Sequence, residues 1–443
     1  MSFTSIFRPR VLISALILAL VAGSVGWLFL LRKTAPKNVI LIIMDTTRAD
    51  HLSPYGYERD TSPNLDAFSK DSITFDYAIA SAPWTPLSIG TIITGLYPVS
   101  HGFIPPDSRD TAEKSVTRLP DALTTMAEAL GSHGYQALGI TPNPWTTQIF
   151  GFGQGYDKYI FRNRAPADAI TKIAEVLYDE RDTKRPLFLF VHYLDPHWPY
   201  EPPAPFDTKF TGDLKFRGYS REELIHLNQY DGEIAFMDQE IGKFIDFLKK
   251  RGAYDNSLII IIGDHGEQFL EHGHLQHGNQ LYNEEVHVPL MVHDGSSSPR
   301  RVDYTVSNVD VFPTVMEWAG VKDVPSQGIS LFNEQQLLSR PGVLSEIYRI
   351  LSERAFTSLD RKKIIWDVAD DPKQSTGKLI GVFDPTTDPL EINPLHDQKL
   401  EQNLTNHFDA LYRPLASAQH PEGKTVDVSP ETLQQLKSLG YMK

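Results

Sequence analysis

Apolar residues gather in four short runs that read as buried strands: Asn38–Met44, Leu187–Leu194, Ser257–Ile262 and Val286–Val292. Each is nearly continuous rather than alternating, the pattern of a strand covered on both faces. Between them the spacing becomes helical. Leu227, Tyr230, Ile234, Met237, Ile241, Phe244 and Leu248 step by threes and fours, which predicts a helix over 227–248. Lys249, Lys250 and Arg251 complement its C-terminus, and Gly252 suits its stop. Shorter helices are predicted at Asp121–Leu130, closed by Gly131, and at Asp168–Tyr178. Strands alternating with helices imply an α/β fold, with a mostly parallel central sheet flanked by helices. From about residue 341 onward Pro, Asp and Asn become frequent. That stretch holds predicted strands at Lys363–Val368 and Leu379–Phe383 and a last helix from Ser429 to Leu439, with Pro430 in its first turn. It reads as a small α+β C-terminal subdomain, 341–443.

One segment breaks the globular pattern. Val11–Leu31 is an uncharged run of 21 residues, flanked by Arg8 and Arg10 before and Arg32 and Lys33 after. Such a run is long enough to cross a bilayer core of about 30 Å. Residues 1–36 are therefore expected to be a cytoplasmic tip and an uncleaved transmembrane helix, with the body from residue 37 outside the cytoplasm, periplasmic or at the cell surface. The formal charge of −14 argues against broad binding of nucleic acid. The absence of cysteine removes disulfides, thiolate ligands and a thiol nucleophile.

Three predicted strands end alike: Met44-Asp45; His192-Tyr193-Leu194-Asp195-Pro196-His197; and Gly263-Asp264-His265. Ligands of open α/β sheets bind beyond the carboxyl ends of strands. Carboxylates and imidazoles at three such ends suggest a shared divalent-metal site. Any one of these acids could instead cap the turn that follows it. A second element is Thr85-Pro86 through Thr94-Gly95. Thr85 suits an N-cap, Pro86 the first helical position and Gly95 the C-cap, which would set the Thr85 hydroxyl at the positive end of a helix. A third element packs four histidines and three acids between Gly263 and Gly278, of which His272 and His274 read as structural.

These residues also resemble a known family. Val39–Asp45 with Thr46-Thr47-Arg48-Ala49-Asp50-His51, Thr61-Ser62-Pro63-Asn64, Phe188–Tyr200, Gly263-Asp264-His265-Gly266-Glu267 and Glu431–Tyr441 together resemble the ordered motifs of type I sulfatases in the alkaline-phosphatase superfamily. The resemblance implies an α/β sandwich with a large mixed sheet and a small C-terminal sheet. It implies that Asp45, Asp264 and His265 hold a divalent metal together with Thr85, that His197 contacts the substrate's anionic group, and that His277 stands where many members carry a lysine. One ion is expected, of Ca, Mg, Mn or Zn. His192, Asp195, His197 and His277 are the candidates for a second ion or an anion site.

The chain departs from the family pattern at the nucleophile. Thr85 occupies the place of the Cys or Ser that becomes formylglycine, and Ile89 that of the signature arginine. Threonine cannot yield the aldehyde, so no formylglycine is expected. Thr46 replaces the second Asp of the usual pair. A threonine in this role resembles phosphodiesterase, phosphonate-hydrolase and glycerophosphate-transferase relatives, in which the hydroxyl attacks phosphorus and is itself esterified before water or an alcohol releases it. The expected activity is hydrolysis of sulfuric or phosphoric esters, phosphoesters favoured on chemical grounds, with Thr85, His197 and His277 catalytic. The alternatives are a membrane-anchored transferase of the phosphoglycerol or phosphoethanolamine type and a degenerate binding protein. The substrate is expected to be a small anionic ester, glycan- or lipid-linked. Trp145, Trp198, Tyr200 and Phe206 either stack on it or pack their own loops.

Overall fold

The computed structural model describes residues 38–103, 115–212, 221–348, 351–369 and 375–439. The expected membrane span at 11–31 lies outside them, and among the described residues no helix is long and apolar enough to cross a membrane.

A nine-stranded mixed sheet organises the chain. Its strands are β1 (Asn38–Met44), β2 (Ile73–Ile79), β3 (Gln136–Thr141), β4 (Lys158–Phe161), β5 (Leu187–Tyr193), β6 (Ser257–Gly263), β7 (His287–His293), β8 (Arg300–Val302) and β9 (Val306–Ser307). The order is β8-β2-β7-β6-β1-β5-β3-β4, with β9 pairing β2. β1 lies between β5 and β6 and is parallel to both, with Met44 opposite Tyr193 on one side and Gly263 on the other. Three neighbouring strands therefore end level, and the residues that follow them meet at one edge of the sheet. The continuous apolar runs are explained by burial on both faces: Val39, Leu41 and Ile43 enter one core cluster, Ile40, Ile42 and Met44 the other.

The expected strand at 286–292 is β7, but it runs antiparallel to β6. Between Gly263 and His287 there is no crossover helix, only a site-forming loop with a small two-stranded pairing of Gln268–Phe269 and Leu275–Gln276, and the short helix Asn283–Val286. A chain that turns back without such a crossover can pair only in the antiparallel sense. The sheet is accordingly mixed. The sequence reading also omits β2 and β3, whose apolar residues are interrupted by Asp76 and Gly139.

Helices cover both faces. They are α1 (Pro63–Ser69), α2 (Thr85–Thr94), α3 (Ala167–Asp179), α4 (Arg221–Lys250) and α5 (Val311–Ala319). The α4 stripe is buried along its length, from Leu227 to Leu248. The helix expected over 121–130 begins only at Met126, because Thr125 and Glu128 form a capping box there.

The C-terminal portion holds more structure than expected. A four-stranded antiparallel sheet comprises β10 (Gly342–Tyr348), β11 (Ser352–Ser358), β12 (Lys363–Asp367) and β13 (Lys378–Phe383). Helix α6 (Gln398–Ser417) packs Leu404, Phe408 and Tyr412 on it, and α7 (Pro430–Ser438) follows, capped by Ser429. β10 is tied to the main body where Glu346 N donates to Ser81 O and Ser345 Oγ to Ala80 O, four to five residues before Thr85.

A buried ion pair joins the segment before β10 to the start of α5. Arg340 donates from both terminal nitrogens to Asp310, at 2.7 and 2.8 Å. Asp310 also accepts the Ser307 and Ile329 N–H groups. Arg340→Ala should lower the unfolding free energy by about 3–5 kcal/mol, because it strands a buried carboxylate. A urea melt of the two proteins checks this as a lower midpoint for the variant.

Candidate active site

Asp45, the first residue beyond β1, is fully buried. Its Oδ2 is 2.9 Å from His192 Nε2 and accepts from Asn143 Nδ2 at 2.9 Å. Its Oδ1 has no donor among the described residues. Asp264, the first residue beyond β6, accepts from Thr46 N at 3.1 Å and His265 N at 2.8 Å through Oδ1, and its Oδ2 also lacks a donor. The His265 Nδ1 is 2.9 Å from Gly266 O. A carbonyl only accepts, so Nδ1 carries the proton and Nε2 keeps its lone pair. That Nε2 lies 3.4 Å from Asp264 Oδ2 and 4.0 Å from Asp45 Oδ1.

These three residues each offer one ligand atom, all within 4.8 Å of one another. Two donorless carboxylate oxygens and an imidazole lone pair, all buried, form a set that a divalent cation fits. Burial, reinforced by the Asp45 charge, pushes the Asp264 carboxyl well above the carboxylate range. Burial opposes ionisation of Asp45 as well, but the His192 hydrogen bond and the nearby imidazoles hold its carboxyl below the ordinary value. Burial brings His265 down to about 4, so its imidazole is neutral at any ordinary pH.

Thr85 joins this group. Trp84, not Thr85, is the N-cap of α2, and Thr85 is the first helical residue, with no side-chain cap. The expected cap is therefore displaced by one position. The Thr85 Oγ1 lies 3.1 Å from His265 Nε2, so the hydroxyl faces the ligand cluster instead of its own helix. Gly95 closes α2 in the left-handed conformation, as its place in the sequence suggests.

His277 and His197 lie alongside. The His277 ring is 4.4 Å from that of His265 and 4.9 Å from that of His197, centroid to centroid. His277 Nδ1 lies 3.3 Å from the buried Glu267 carboxylate. His197 Nδ1 is 2.7 Å from Trp198 O. The remaining candidates take other places. His192 holds Asp45 from behind and is itself 3.0 Å from the Thr141 hydroxyl. Asp195 accepts the Ala167 N–H at the start of α3, and burial pushes its carboxyl up to about 7. That bond lies at a helix start 28 residues earlier, not in the turn that follows Asp195. Trp145 is 1% exposed and packs on Trp84 and Phe150, so it belongs to the core and not to a substrate platform. His272 is structural as expected: it bonds Glu284 and stacks on Tyr282.

Three supports lie outside the site residues read from the sequence. Asn143 reaches Asp45 from the loop after β3. Tyr230 on α4 accepts from Arg48 N at 3.0 Å and donates to Thr46 O at 2.7 Å. It pins a turn in which Thr46 has φ +48°, a costly conformation for a β-branched residue. Glu285 accepts the N–H groups of Gly278, Asn279 and Gln280, fixing the loop that carries His277.

The family model described as Sulfatase matches residues 37–321, more than half of the chain. The protein belongs to the sulfatase family. Curated relatives of this sulfatase include an endo-4-O-sulfatase of Bacteroides thetaiotaomicron, 23% identical over 76% of this chain and 82% of that one. The phosphoethanolamine transferase EptC of Escherichia coli is 27% identical over 53% of this chain and 40% of its own. Among solved structures, a phosphonate monoester hydrolase of Agrobacterium radiobacter superposes with a TM-score of 0.66 at 18% identity, covering 89% of this chain and 100% of that one. The last likeness establishes the fold. As a member of the family, the chain is an ester hydrolase; sulfatases are metal-dependent, and Asp45, Asp264 and His265 form a candidate site for the ion.

Cation binding at this centre must ionise Asp264, whose proton is otherwise retained. Affinity should therefore rise with pH through the raised range of Asp264 and fall on acidification. Calorimetric titration with Mn²⁺ or Zn²⁺ in two buffers of different ionisation enthalpy should show release of about one proton per ion. Asp264→Asn should abolish that release. His192→Ala, which removes a support of Asp45, should weaken binding by about 10- to 100-fold.

Proposed function

We propose that the protein hydrolyses phosphoric esters, with sulfuric esters as poorer substrates, and that Thr85 is its nucleophile. The observation that carries this reading is the Thr85 hydroxyl, buried and 3.1 Å from His265 Nε2, at the edge of the ligand cluster. A divalent ion held by Asp45, Asp264 and His265 would acidify that hydroxyl and offset charge on the ester oxygens.

The remaining steps belong to the protein. Thr85 Oγ1, its proton passed to bulk water, forms a bond to phosphorus as the bond to the leaving alcohol breaks. His277 and His197 stand beside the cluster; the Trp198 carbonyl holds the His197 Nδ1 proton and burial disfavours its charged form, so the departing alcohol oxygen takes its proton from His277. Water then cleaves the Thr85 ester, restoring the hydroxyl and releasing phosphate. Glu267 orients His277 through its Nδ1, as a carboxylate behind an imidazole does in other acid–base pairs.

Transfer to an alcohol uses the same first step with a different acceptor. The resemblance to a phosphoethanolamine transferase keeps this as the second reading. The apolar run at 11–31 supports a membrane-tethered body outside the cytoplasm and a glycan- or lipid-linked substrate.

Parallel assays with an aryl sulfate, a phosphate monoester and a phosphate diester test the proposal, each with metal, with chelator and as Thr85→Ala. Phosphoester turnover should be lost with chelator and fall by roughly 10⁴-fold or more in Thr85→Ala, as for other nucleophile deletions. Preferential sulfate turnover, or turnover that survives Thr85→Ala, would reject the nucleophile assignment. Product partitioning with added glycerol separates hydrolysis from transfer.

A further inference from the structure

A cavity of about 710 Å³ opens beside His197, bounded by the start of α3, the Pro199–Phe206 loop and one face of α4. Its charged walls are mainly acidic, with Asp195, Glu201, Glu233 and Glu240 against Arg164 and Lys243. Lys243 is taken up by Glu240 at 2.5 Å. Arg164 donates to Ser438 O at 3.1 Å.

Glu233 is the unusual member. It is 6% exposed, yet its one hydrogen bond accepts the Glu201 N–H at 2.8 Å, and it has no ion-pair partner among the described residues. Glutamine would accept that N–H equally well and without a charge. Asp195 likewise uses one oxygen, for Ala167 N–H, and its other oxygen has no donor. Burying a carboxylate without a cation is costly, and proteins seldom keep one where an amide would serve. Burial, reinforced by the Asp195 charge, pushes Glu233 up to about 9, and the Arg164 charge offsets this only in small part.

We propose that this cavity is a subsite for a primary ammonium group on the ester substrate, with Glu233 as its counter-ion and Asp195 as a second acceptor. The placement fits: His197 is shared between the cavity and the cluster that holds Thr85, so an anionic ester at the cluster would extend its organic part past His197. The inference rests on reading that cluster as an ester site. The ammonium could come from an aminoalkyl ester or from an amino sugar, and the volume admits either.

The test is calorimetric binding to the metal-loaded, full-length Thr85→Ala protein, with two matched pairs of probes. Phosphoethanolamine is compared with ethyl phosphate, and glucosamine 6-phosphate with glucose 6-phosphate. The amine of at least one pair should bind about 10- to 100-fold more tightly than its neutral partner, the range for a hydrogen bond to a charged group. The pair that shows the preference identifies the source. Glu233→Gln and Asp195→Asn keep the acceptors used by the Glu201 and Ala167 N–H groups. Loss of preference in either, with neutral-probe affinity unchanged, supports the subsite. Equal affinities in both pairs would overturn it, as would a preference that survives both changes. So would a second equivalent of metal bound by the parent protein and lost in Glu233→Gln. If the ester assays show no turnover but the amine preference holds, the enzyme reading fails and the subsite stands. Turnover without preference means the reverse.

Discussion

Two fully buried carboxylates side by side repel each other unless a positive charge shares their space, and Asp45 and Asp264 are placed in just that relation. The parallel pairing of β1 with β5 and β6 makes this unavoidable, because strands in register deliver their following residues to one spot. Much of the surrounding structure manages the consequence. His192 and Asn143 hold one oxygen of Asp45; Thr46 N and His265 N hold one oxygen of Asp264. Each acid is left with one oxygen facing the same small volume. The His265 tautomer, set by the Gly266 carbonyl, adds a lone pair there. A cation is the natural resolution, and the hydroxyl of Thr85 stands at its edge.

The parts of this arrangement that depend on local pattern were legible in the sequence. β1 is found at its expected bounds, since an apolar run closed by a charged residue leaves little freedom in register. Asp45, Asp264 and His265 were readable because a strand end in an α/β sheet is a place as well as a conformation. The long-range supports were not readable. Asn143 lies 98 residues from Asp45, and Tyr230 lies 182 from Arg48; no periodicity or spacing connects them. Asp195 shows the opposite case. Its position at a strand end suited a ligand, but the nearby start of α3 offered an N–H and took the carboxylate for that purpose.

The direction of β7 and the position of Thr85 share one lesson. Both turn on what the chain does immediately outside a regular element. A loop without a crossover helix reverses the following strand, and a proline at the second helical position moves the cap back to Trp84. Thr85 presents its oxygen to the ligand cluster.

The C-terminal sheet reaches the active centre more directly than its place in the chain suggests. Lys363 on β12, fully buried, donates to Leu281 O and Asn283 Oδ1 and pairs with Glu391; Glu353 on β11 accepts the Leu281 N–H. The gripped segment is the one that Glu285 folds and that carries His277. The last quarter of the polypeptide is thus emerging from a ribosome when the first three quarters are already made, yet the loop bearing His277 lacks its latch until then. The loop that carries His277 is therefore complete only after the final sheet has docked.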